Sequence, residues 1–468
     1  MEHNQEITIW RKSTLSVWLG ALILCAPALV NKFPFLYADT GTYLQCGFQG
    51  IGSDIRPMTY GVFIRHASLN ESLWLVIFIQ CLILSWTIHM FYKYFSTHAP
   101  GIRPLIAIFI LTLMTGVGEV AGMLMPDIFT PIMILSGAIL LFGKYNFGWR
   151  FILLSLIFIL AVACHHSNAL IIIFTIISLM ILRLIYYFRK RPFILLFRKY
   201  LLVSSMALVG YFAIPLIHWT YTGDFYWSRV QGIFLTNRIN QMGLLKPFLD
   251  KNCPTHDYRL CPAKDSIPFD LLWSQDSPMN KSGGMRPNND EYARMVGDFM
   301  KQPFFLKKFF IKTLENGVIQ FFTIEGLIIT KEHDWGYPYQ VMQQILPEFI
   351  PPYRVSVQYA DKWDHRPTQL FQRFLVFGSI FYLLYFFIFR NKKDELYQSK
   401  LNLGYYLLLA LIANAFICAG ISMVDVRFQY RVVWIIPLFA MFIFGEQFPM
   451  MVEFLKKKLA GNNSLEEK

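Results

Sequence analysis

Two long apolar runs joined by a short polar turn decide the fold: FILLSLIFILAVACHHSNALIIIFTIISLMILRLIYYF, residues 151–188. Outside the turn HHSN at 165–168, Arg183 is the one formally charged residue of the stretch. A helix that crosses a bilayer needs about 20 apolar residues, and lipid cannot satisfy the open backbone groups of other structures. The stretch therefore predicts two membrane-spanning helices with polar side chains where they meet.

The whole chain has the same character. Of its 468 residues, 55% are hydrophobic and only 16% are charged, against about 25% charged in a soluble domain. The mean hydropathy of +0.41 agrees. We therefore predict an all-α polytopic membrane protein with about ten transmembrane helices, not three soluble domains of about 150 residues. The predicted spans lie near 14–31, 73–92, 104–121, 126–143, 151–165, 168–188, 200–219, 371–389, 401–421 and 432–449.

The basic residues indicate an orientation. Cytoplasmic loops are enriched in Lys and Arg, so the net charge of +13 is assigned to topology and not to nucleic-acid binding. With a cytoplasmic N-terminus, the inside segments hold twenty Lys and Arg and the short outside segments hold five. Both termini are therefore expected in the cytoplasm. The five outside residues are Lys32, Arg56, Arg65, Arg427 and Arg431.

This topology divides the chain into four parts. A polar C-terminal end is expected to be disordered, and one long connection is the only place for a soluble subdomain. The predicted parts are an N-terminal membrane module of about seven spans at 1–219, with a first outer loop at 32–72; an extracytoplasmic subdomain at 220–370; a C-terminal membrane module of about three spans at 371–455; and a cytoplasmic tail at 456–468.

Two features mark the long outer connection. The run 303–323 alternates aromatic clusters with lysines at helical spacing, which fits an amphipathic helix on the outer membrane surface or an ordinary subdomain helix. Cys253 and Cys261 lie eight residues apart, and an oxidising compartment favours a disulfide between them. A zinc site with His256 is the alternative, although no second cysteine pair follows. Cys46 is then the unpaired outer cysteine.

The polar residues near the membrane collect at the predicted outer face. Each has a plain explanation: Asp39 could cap a helix beginning at Thr40, and hairpin turns need polar residues. Their occurrence together favours a functional site, because charged groups at membrane depth are costly and usually face a cavity or a partner. The candidates are Asp39, Tyr43, Asp54, Arg56 and Tyr60 in the first outer loop, Glu119 and Asp127 in the next hairpin, His165 and His166 in the third, and Asp425, Arg427 and Arg431 before the last span.

These residue types match the needs of glycosyl transfer from a polyprenyl-phosphate-linked sugar. A carboxylate can remove the proton of an acceptor, worth about 10²–10⁴-fold. Arginines can bind the phosphate and stabilise its charge as it leaves. In an inverting transfer the base and the phosphate ligands lie on opposite sides of the sugar, so they must come from different loops.

The motifs resemble the GT-C superfamily of integral-membrane glycosyltransferases, which includes protein mannosyltransferases, lipid A aminoarabinose transferases and oligosaccharyltransferases. The segments 39–43 (DTGTY) and 56–60 (RPMTY) are similar to its Asp-x3-Tyr and Arg-Pro-x2-Tyr patterns. Pro126-Asp127 and Asp425-x-Arg427-Phe428 continue the similarity, with Phe428 in place of the usual Tyr.

The resemblance implies a role for each matched residue. Asp39 would be the catalytic base, and Arg56, Arg427 and Arg431 would be candidates for the donor phosphate. The residues expected to line the site are Tyr43, Tyr60, Asp127, His165, His166 and Asp425. The partners would be a polyprenyl-phosphate-linked sugar donor, a glycan, lipid or protein acceptor, and membrane lipid, at the extracytoplasmic face of a bacterial cytoplasmic membrane. No second acid adjoins Asp39, so no metal is assigned, although Asp127 with Asp39 could imitate a divalent-metal site.

Three other classes of membrane protein also fit the sequence. A transporter or flippase would also have about ten spans with intramembrane polar residues, although such proteins tend to show inverted repeats and polar groups at the midplane. A polysaccharide polymerase or ligase would use an outer basic site without an essential carboxylate. A membrane scaffold without turnover is the third alternative. An essential Asp39 would favour the glycosyltransferase over a polymerase or ligase, and a dispensable Asp39 would favour a transporter.

Overall fold

The chain is all-helical in the part that the computed structural model describes, which is residues 2–190, 194–326, 329, 331–390 and 395–447. Phe35 and Met123 form a single isolated bridge there. Within these ranges, seven helices are long and apolar enough to cross a membrane, which indicates a multi-pass membrane protein. They are Thr14–Asn31, Leu73–Phe95, His166–Ile185, Phe197–Thr222, Arg366–Phe389, Tyr397–Ile421 and Val426–Gln447.

Three shorter apolar helices, Arg103–Met114, Pro126–Phe142 and Trp149–Ala163, match the remaining predicted spans. A helix of 12 residues, such as the first of them, is only about 18 Å long against a hydrocarbon core of about 30 Å. The count of about ten crossings and the cytoplasmic location of both termini therefore stay predictions.

The described part of the N-terminal half contains ten helices, and three of them, Thr40–Phe48, Thr59–Ala67 and Val117–Ala121, are too short to cross the bundle. α2 and α3 pack closely because two glycines meet: a Cβ on Gly47 would lie 2.4 Å from the carbonyl oxygen of Gly61. The helices are α1 Glu2–Asn31, α2 Thr40–Phe48, α3 Thr59–Ala67, α4 Leu73–Phe95, α5 Arg103–Met114, α6 Val117–Ala121, α7 Phe129–Phe142, α8 Trp149–Ala163, α9 His166–Lys190 and α10 Ile194–Thr222, with a 3-10 turn at Pro126–Ile128.

The long connection at 220–370 contributes to two different cores. Residues from Ile233 to Phe305 bury their own apolar cluster, whereas Ile329 to Tyr353 pack into the core of the membrane helices. The helices are α11 Gln231–Gln241, α12 Leu245–Asn252, α13 Pro278–Lys281, α14 Met285–Met300, α15 Pro303–Phe322, α16 Tyr337–Ile345 and α17 Ile350–Arg354, with 3-10 turns at Cys261–Ala263 and Pro347–Phe349.

Cys253 and Cys261 are joined by a disulfide, with a Cα–Cα separation of 5.7 Å. Their sulfur atoms are bonded to each other, so they are not free to bind zinc beside His256. Cys46 is unpaired and buried. The bridge closes a short loop on the surface of the separate outer core.

The run predicted to be amphipathic is α15, and it packs against a membrane helix. Gly317 touches the ring of Phe416, and Gly420 touches Thr313. Phe310 and Phe322 on α15 are 61% and 68% exposed. The helix thus packs one face on the membrane helix Glu395–Ile421 and leaves an apolar face exposed. Its location at a membrane surface stays a prediction.

Three helices of the described C-terminal part pack into the same core as the N-terminal membrane helices. We call the end of the bundle that carries Asp39 the Asp39 face. At the opposite face, Glu446 accepts a hydrogen bond of 2.7 Å from Arg103 and lies 3.7 Å from the Lys400 ammonium. The predicted tail at 456–468 lies outside the described residues. The helices are α18 Arg366–Phe389, α19 Glu395–Ile421 and α20 Val426–Val433.

Candidate functional site

Asp39 lies at the start of α2, but its side chain makes no capping hydrogen bond. Its carboxylate is instead held between two arginines. Arg56 binds Oδ1, and Arg427 Nη1 donates to Oδ2 at 3.0 Å. Only 14% of the Asp39 side chain is exposed. The sequence places these arginines 17 and 388 residues away, so the fold brings distant segments to one carboxylate.

A second carboxylate extends this cluster inward. Asp127 Oδ1 lies 3.7 Å from Arg427 Nε and 3.2 Å from Arg431 Nη1. Arg431 is fully buried and also donates to Asn414 Oδ1 at 2.9 Å. The order is Arg56, Asp39, Arg427, Asp127, Arg431, with charge alternating along the row. Removal of either aspartate would leave three arginines with a single carboxylate among them, an excess of buried positive charge.

Asp425 has a different role, because it caps α20. Its carboxylate accepts from the Arg427 backbone N–H at 2.8 Å. Its own backbone is held by Gln320 of α15, which donates to the Asp425 carbonyl and accepts from its N–H, both at 2.8 Å. The amide of Gln320 is fully buried. These bonds fix the start of the helix that carries Arg427 and Arg431.

A cavity of about 410 Å³ opens beside the cluster. Arg56 and Arg427 line it, whereas Asp39, Asp127 and Arg431 lie behind them and do not. One wall is basic and the other is built from aromatic and amide side chains of the outer connection. The lining includes Tyr43, Arg56, His165, His166, Ser167, Leu170, Tyr211, Trp227, Gln231, Asn237, Asp270, Trp273, Ile421 and Arg427.

The imidazoles and tyrosines predicted to line the site divide into two groups. His165, whose Nδ1 is 2.8 Å from Ser167 Oγ, reaches the cavity, as does His166. Tyr43 lies at the cavity wall with its ring 5.1 Å from that of Tyr60. Tyr60 is fully buried behind it and donates to Gln80 Oε1 at 3.0 Å. Tyr60 therefore supports Tyr43 and does not reach the cavity.

Hydrogen bonds at Asp54 and at Met58, on either side of Arg56 in the sequence, fix the loop that carries Arg56. Arg229 of the outer connection donates to Asp54 Oδ1 at 3.1 Å. The Met58 N–H donates to His218 Nε2 at 3.1 Å, and His218 Nδ1 is 2.8 Å from the Tyr226 carbonyl oxygen. The orientation of Arg56 is thus set by side chains that no local pattern of the sequence marks as functional.

The segment 331–365 covers the loop that carries Asp39. The Tyr337 ring packs directly against Gly41, because a Cβ added to Gly41 would lie only 2.8 Å from the ring. Gln358 binds the backbone of Leu36 twice, accepting from its N–H at 3.0 Å and donating to its carbonyl at 2.7 Å. The Phe35 ring meets Trp363 at 4.7 Å. This segment therefore holds the first outer loop in place.

Glu332 is an acid that the sequence analysis missed. Burial raises the pKa of Glu332 to about 7, and the nearby Asp39 carboxylate acts in the same direction. The Glu332 N–H donates to the Tyr353 hydroxyl at 3.1 Å, which fixes the backbone. Its surroundings, KEHDWG at 331–336, carry no apolar periodicity that would show it as buried.

The acids do not suit a divalent metal. The guanidinium of Arg427 lies between Asp39 and Asp127, where a shared ion would have to bind. Among the described residues, no group of three or more His, Cys, Asp or Glu could hold a metal. We therefore derive no step through a metal ion.

The fold and the site define a class: a multi-pass helical membrane protein with a buried ionic row beside a cavity at one face of the bundle. No protein-family model, no curated protein and no solved structure matches the chain. The function is therefore inferred from the geometry and from the motif resemblance.

Proposed function

We propose that the protein is a GT-C type glycosyltransferase of a bacterial cytoplasmic membrane. It would transfer a sugar, with inversion, from a polyprenyl-phosphate-linked donor to a glycan, lipid or protein acceptor at the extracytoplasmic face. One observation supports this most directly: the Asp39 carboxylate is held by Arg56 and Arg427, and both arginines line a cavity of about 410 Å³.

The cavity has a place for each part of such a donor. The phosphate would bind Arg56 and Arg427, which present planar donor groups to oxyanions. The sugar would lie against Trp227, Trp273 and the amides, since aromatic rings and amides suit a sugar's apolar faces and hydroxyls. Leu170 and Ile421, each 41% exposed at the end of a membrane helix, would guide the lipid tail out of the cavity.

Donor binding would also prepare the base. In the structure the two arginines are engaged by Asp39, so an incoming phosphate competes with that carboxylate for them. The released Asp39 side chain would turn from the two arginines to the opposite side of the sugar, where its carboxylate would accept the proton of the acceptor hydroxyl or amine. The acceptor atom would attack the anomeric carbon as the bond from that carbon to the phosphate oxygen breaks. The electron pair would leave with polyprenyl phosphate, whose charge the arginines stabilise.

The experiment is complementation of a deletion strain at matched protein levels, with cell-envelope glycans and polyprenyl-phosphate-sugar pools as readouts. Asp39→Asn should fail to restore a glycan and should accumulate donor. Asp364→Asn is the matched control, because Asp364 is a carboxylate of the outer connection that pairs with the exposed Arg366. It should complement.

Two results would reject the proposal. Full complementation by Asp39→Asn would remove the general base. Accumulation of the donor on the cytoplasmic side, measured by its protection from a membrane-impermeant oxidant, would indicate a flippase instead. Arg427→Gln should raise the donor KM and also lower kcat, because Arg427 would both bind the donor phosphate and stabilise its charge as it leaves.

A further inference from the structure

A group of exposed aromatic and charged side chains lies on the segment that covers the first outer loop. Trp335 is 75% exposed, and its ring is stacked on that of His333, with 4.9 Å between the ring centres and 7° between the planes. Asp334 is 52% exposed and lies 3.6 Å from the Arg354 guanidinium. We call Trp335, His333, Asp334 and Arg354 the outer platform. None of these four residues lines the cavity beside Arg56.

Helix α2 separates the platform from that cavity. Tyr337, two residues after the last aromatic ring of the platform, packs on Gly41 and donates a hydrogen bond of 2.6 Å to Gln45 Oε1. Gly41 and Gln45 are four residues apart and therefore lie on one face of α2. Tyr43, which lines the cavity, is two residues or about 200° of rotation from each of them. The cavity and the covering segment thus lie on opposite faces of the helix that follows Asp39.

This arrangement matches the two sides of an inverting transfer. The base and the leaving phosphate lie on opposite sides of the sugar in such a reaction. In the proposed function, Arg56 and Arg427 bind the donor phosphate at the cavity, so the acceptor reaches Asp39 from the other side. The platform lies on that side.

The platform combines the groups that recognise a carbohydrate. Its flat, exposed ring pair presents an apolar face on which a sugar ring can stack. The Asp334 carboxylate accepts hydrogen bonds and the Arg354 guanidinium donates them, which suits hydroxyl groups. The Tyr359 hydroxyl donates to Asp334 Oδ1 at 2.8 Å, which fixes the carboxylate beside the rings. A lipid acceptor would bring its acyl chains to two ionised side chains, whose desolvation is costly.

We propose that the outer platform binds a carbohydrate acceptor. A sugar ring of the acceptor stacks on Trp335, and its hydroxyls bond to Asp334 and Arg354. The reacting hydroxyl lies beyond Tyr337, toward Asp39. This proposal rests on the proposed function and narrows its acceptor to a glycan.

The test is sugar transfer by the purified full chain in nanodiscs, with the donor that accumulates in the deletion strain. The envelope of that strain supplies three acceptor fractions: glycan freed of protein and lipid, protein, and extracted lipid. Wild type should transfer sugar to the glycan fraction. Trp335→Ala should raise the KM for that glycan at least tenfold and leave the donor KM within twofold, because only the acceptor contacts the platform.

Two further variants separate stacking from other roles of an exposed tryptophan. Trp335→Tyr keeps a flat ring and should hold the acceptor KM within threefold of wild type. Trp335→Leu keeps an apolar side chain, as a membrane anchor requires, and should raise the acceptor KM as much as Trp335→Ala does. Trp149→Ala is the matched control and should leave both KM values unchanged, since Trp149 is 56% exposed at the start of α8, and the other end of that helix leads toward His165.

Asp39→Asn distinguishes the failure of this proposal from the failure of the proposed function. The carbohydrate site alone is wrong if Asp39→Asn abolishes transfer while Trp335→Ala or Trp335→Leu leaves the acceptor KM unchanged. It is also wrong if wild type transfers sugar only to the protein or lipid fraction. If wild type transfers sugar to none of the three fractions, the proposed function and the carbohydrate site are both wrong.

Discussion

The pair of Asp127 and Arg431 should stabilise the fold without touching substrate. Arg431 is fully buried, Asp127 is 3% exposed, and their nearest charged atoms are 3.2 Å apart. At an effective dielectric constant of about 20, that distance corresponds to a gross attraction of about 5 kcal/mol. Arg431→Met would leave Asp127 with Arg427 at 3.7 Å. We expect a loss of about 3 kcal/mol in the free energy of unfolding, the low end for breaking a buried pair.

A double-mutant cycle checks this reasoning. Asp127→Leu with Arg431→Met removes both charges and should recover at least half of the loss, because no unpaired buried charge remains. The assay is equilibrium unfolding of the purified protein in mixed micelles, followed by tryptophan fluorescence. If the double variant is as unstable as the sum of the single variants, the pair does not couple and Arg431 has another role.

Four further predictions concern Glu332, Gln320 and Gly47, which support the site without lining the cavity. In wild type, the donor KM should rise between pH 6 and 8, because the Glu332 carboxylate ionises near pH 7 and then repels the donor phosphate. In Glu332→Gln, the donor KM should not change with pH over this range. Initial rates against donor concentration measure both. The same substitution tests how pH affects stability. The unfolding temperature of wild type relative to Glu332→Gln should fall as pH rises from about 4.5 to about 7, because in this range the Glu332 carboxyl is protonated only in the folded state. Gln320→Leu should cost about 2 kcal/mol in unfolding free energy and lower activity, because it leaves the Asp425 backbone unpaired. Gly47→Ala should cost about 1–3 kcal/mol through the clash with the Gly61 carbonyl, measured in the same unfolding assay, and Gly148→Ala, which meets no atom, should cost less.

The sequence predicts the helical membrane class because that information is local. A run such as 168–188 specifies a buried helix by its own composition, whatever the rest of the chain does. The three short helices show the limit of this reasoning. Arg103–Met114 is apolar enough but only 12 residues long, so its relation to the membrane depends on neighbours.

The partners within the ionic row could not be predicted, because they depend on tertiary packing. Nothing near Asp39 in the sequence specifies that a residue 388 positions away will bind it. Glu332 is a clearer case. The influence of Asp39 on it follows from the packing of 331–365 over the first outer loop, and an acid in a polar stretch has no sequence signal for burial.

The different roles of Arg427 and Arg431 follow from helix geometry once Asp425 is known to begin the helix. Four residues along a helix are about one turn and about 6 Å of depth, so both arginines lie on one side of α20 and Arg431 lies further into the bundle. The shallower guanidinium reaches Asp39 and the cavity, and the deeper one reaches Asp127, Asn414 and no cavity. In a helix that enters a membrane, position along the sequence therefore measures depth. On this reasoning the arginine nearer the cap is the one to test first as a phosphate ligand, and the deeper arginine fixes the helix that presents it.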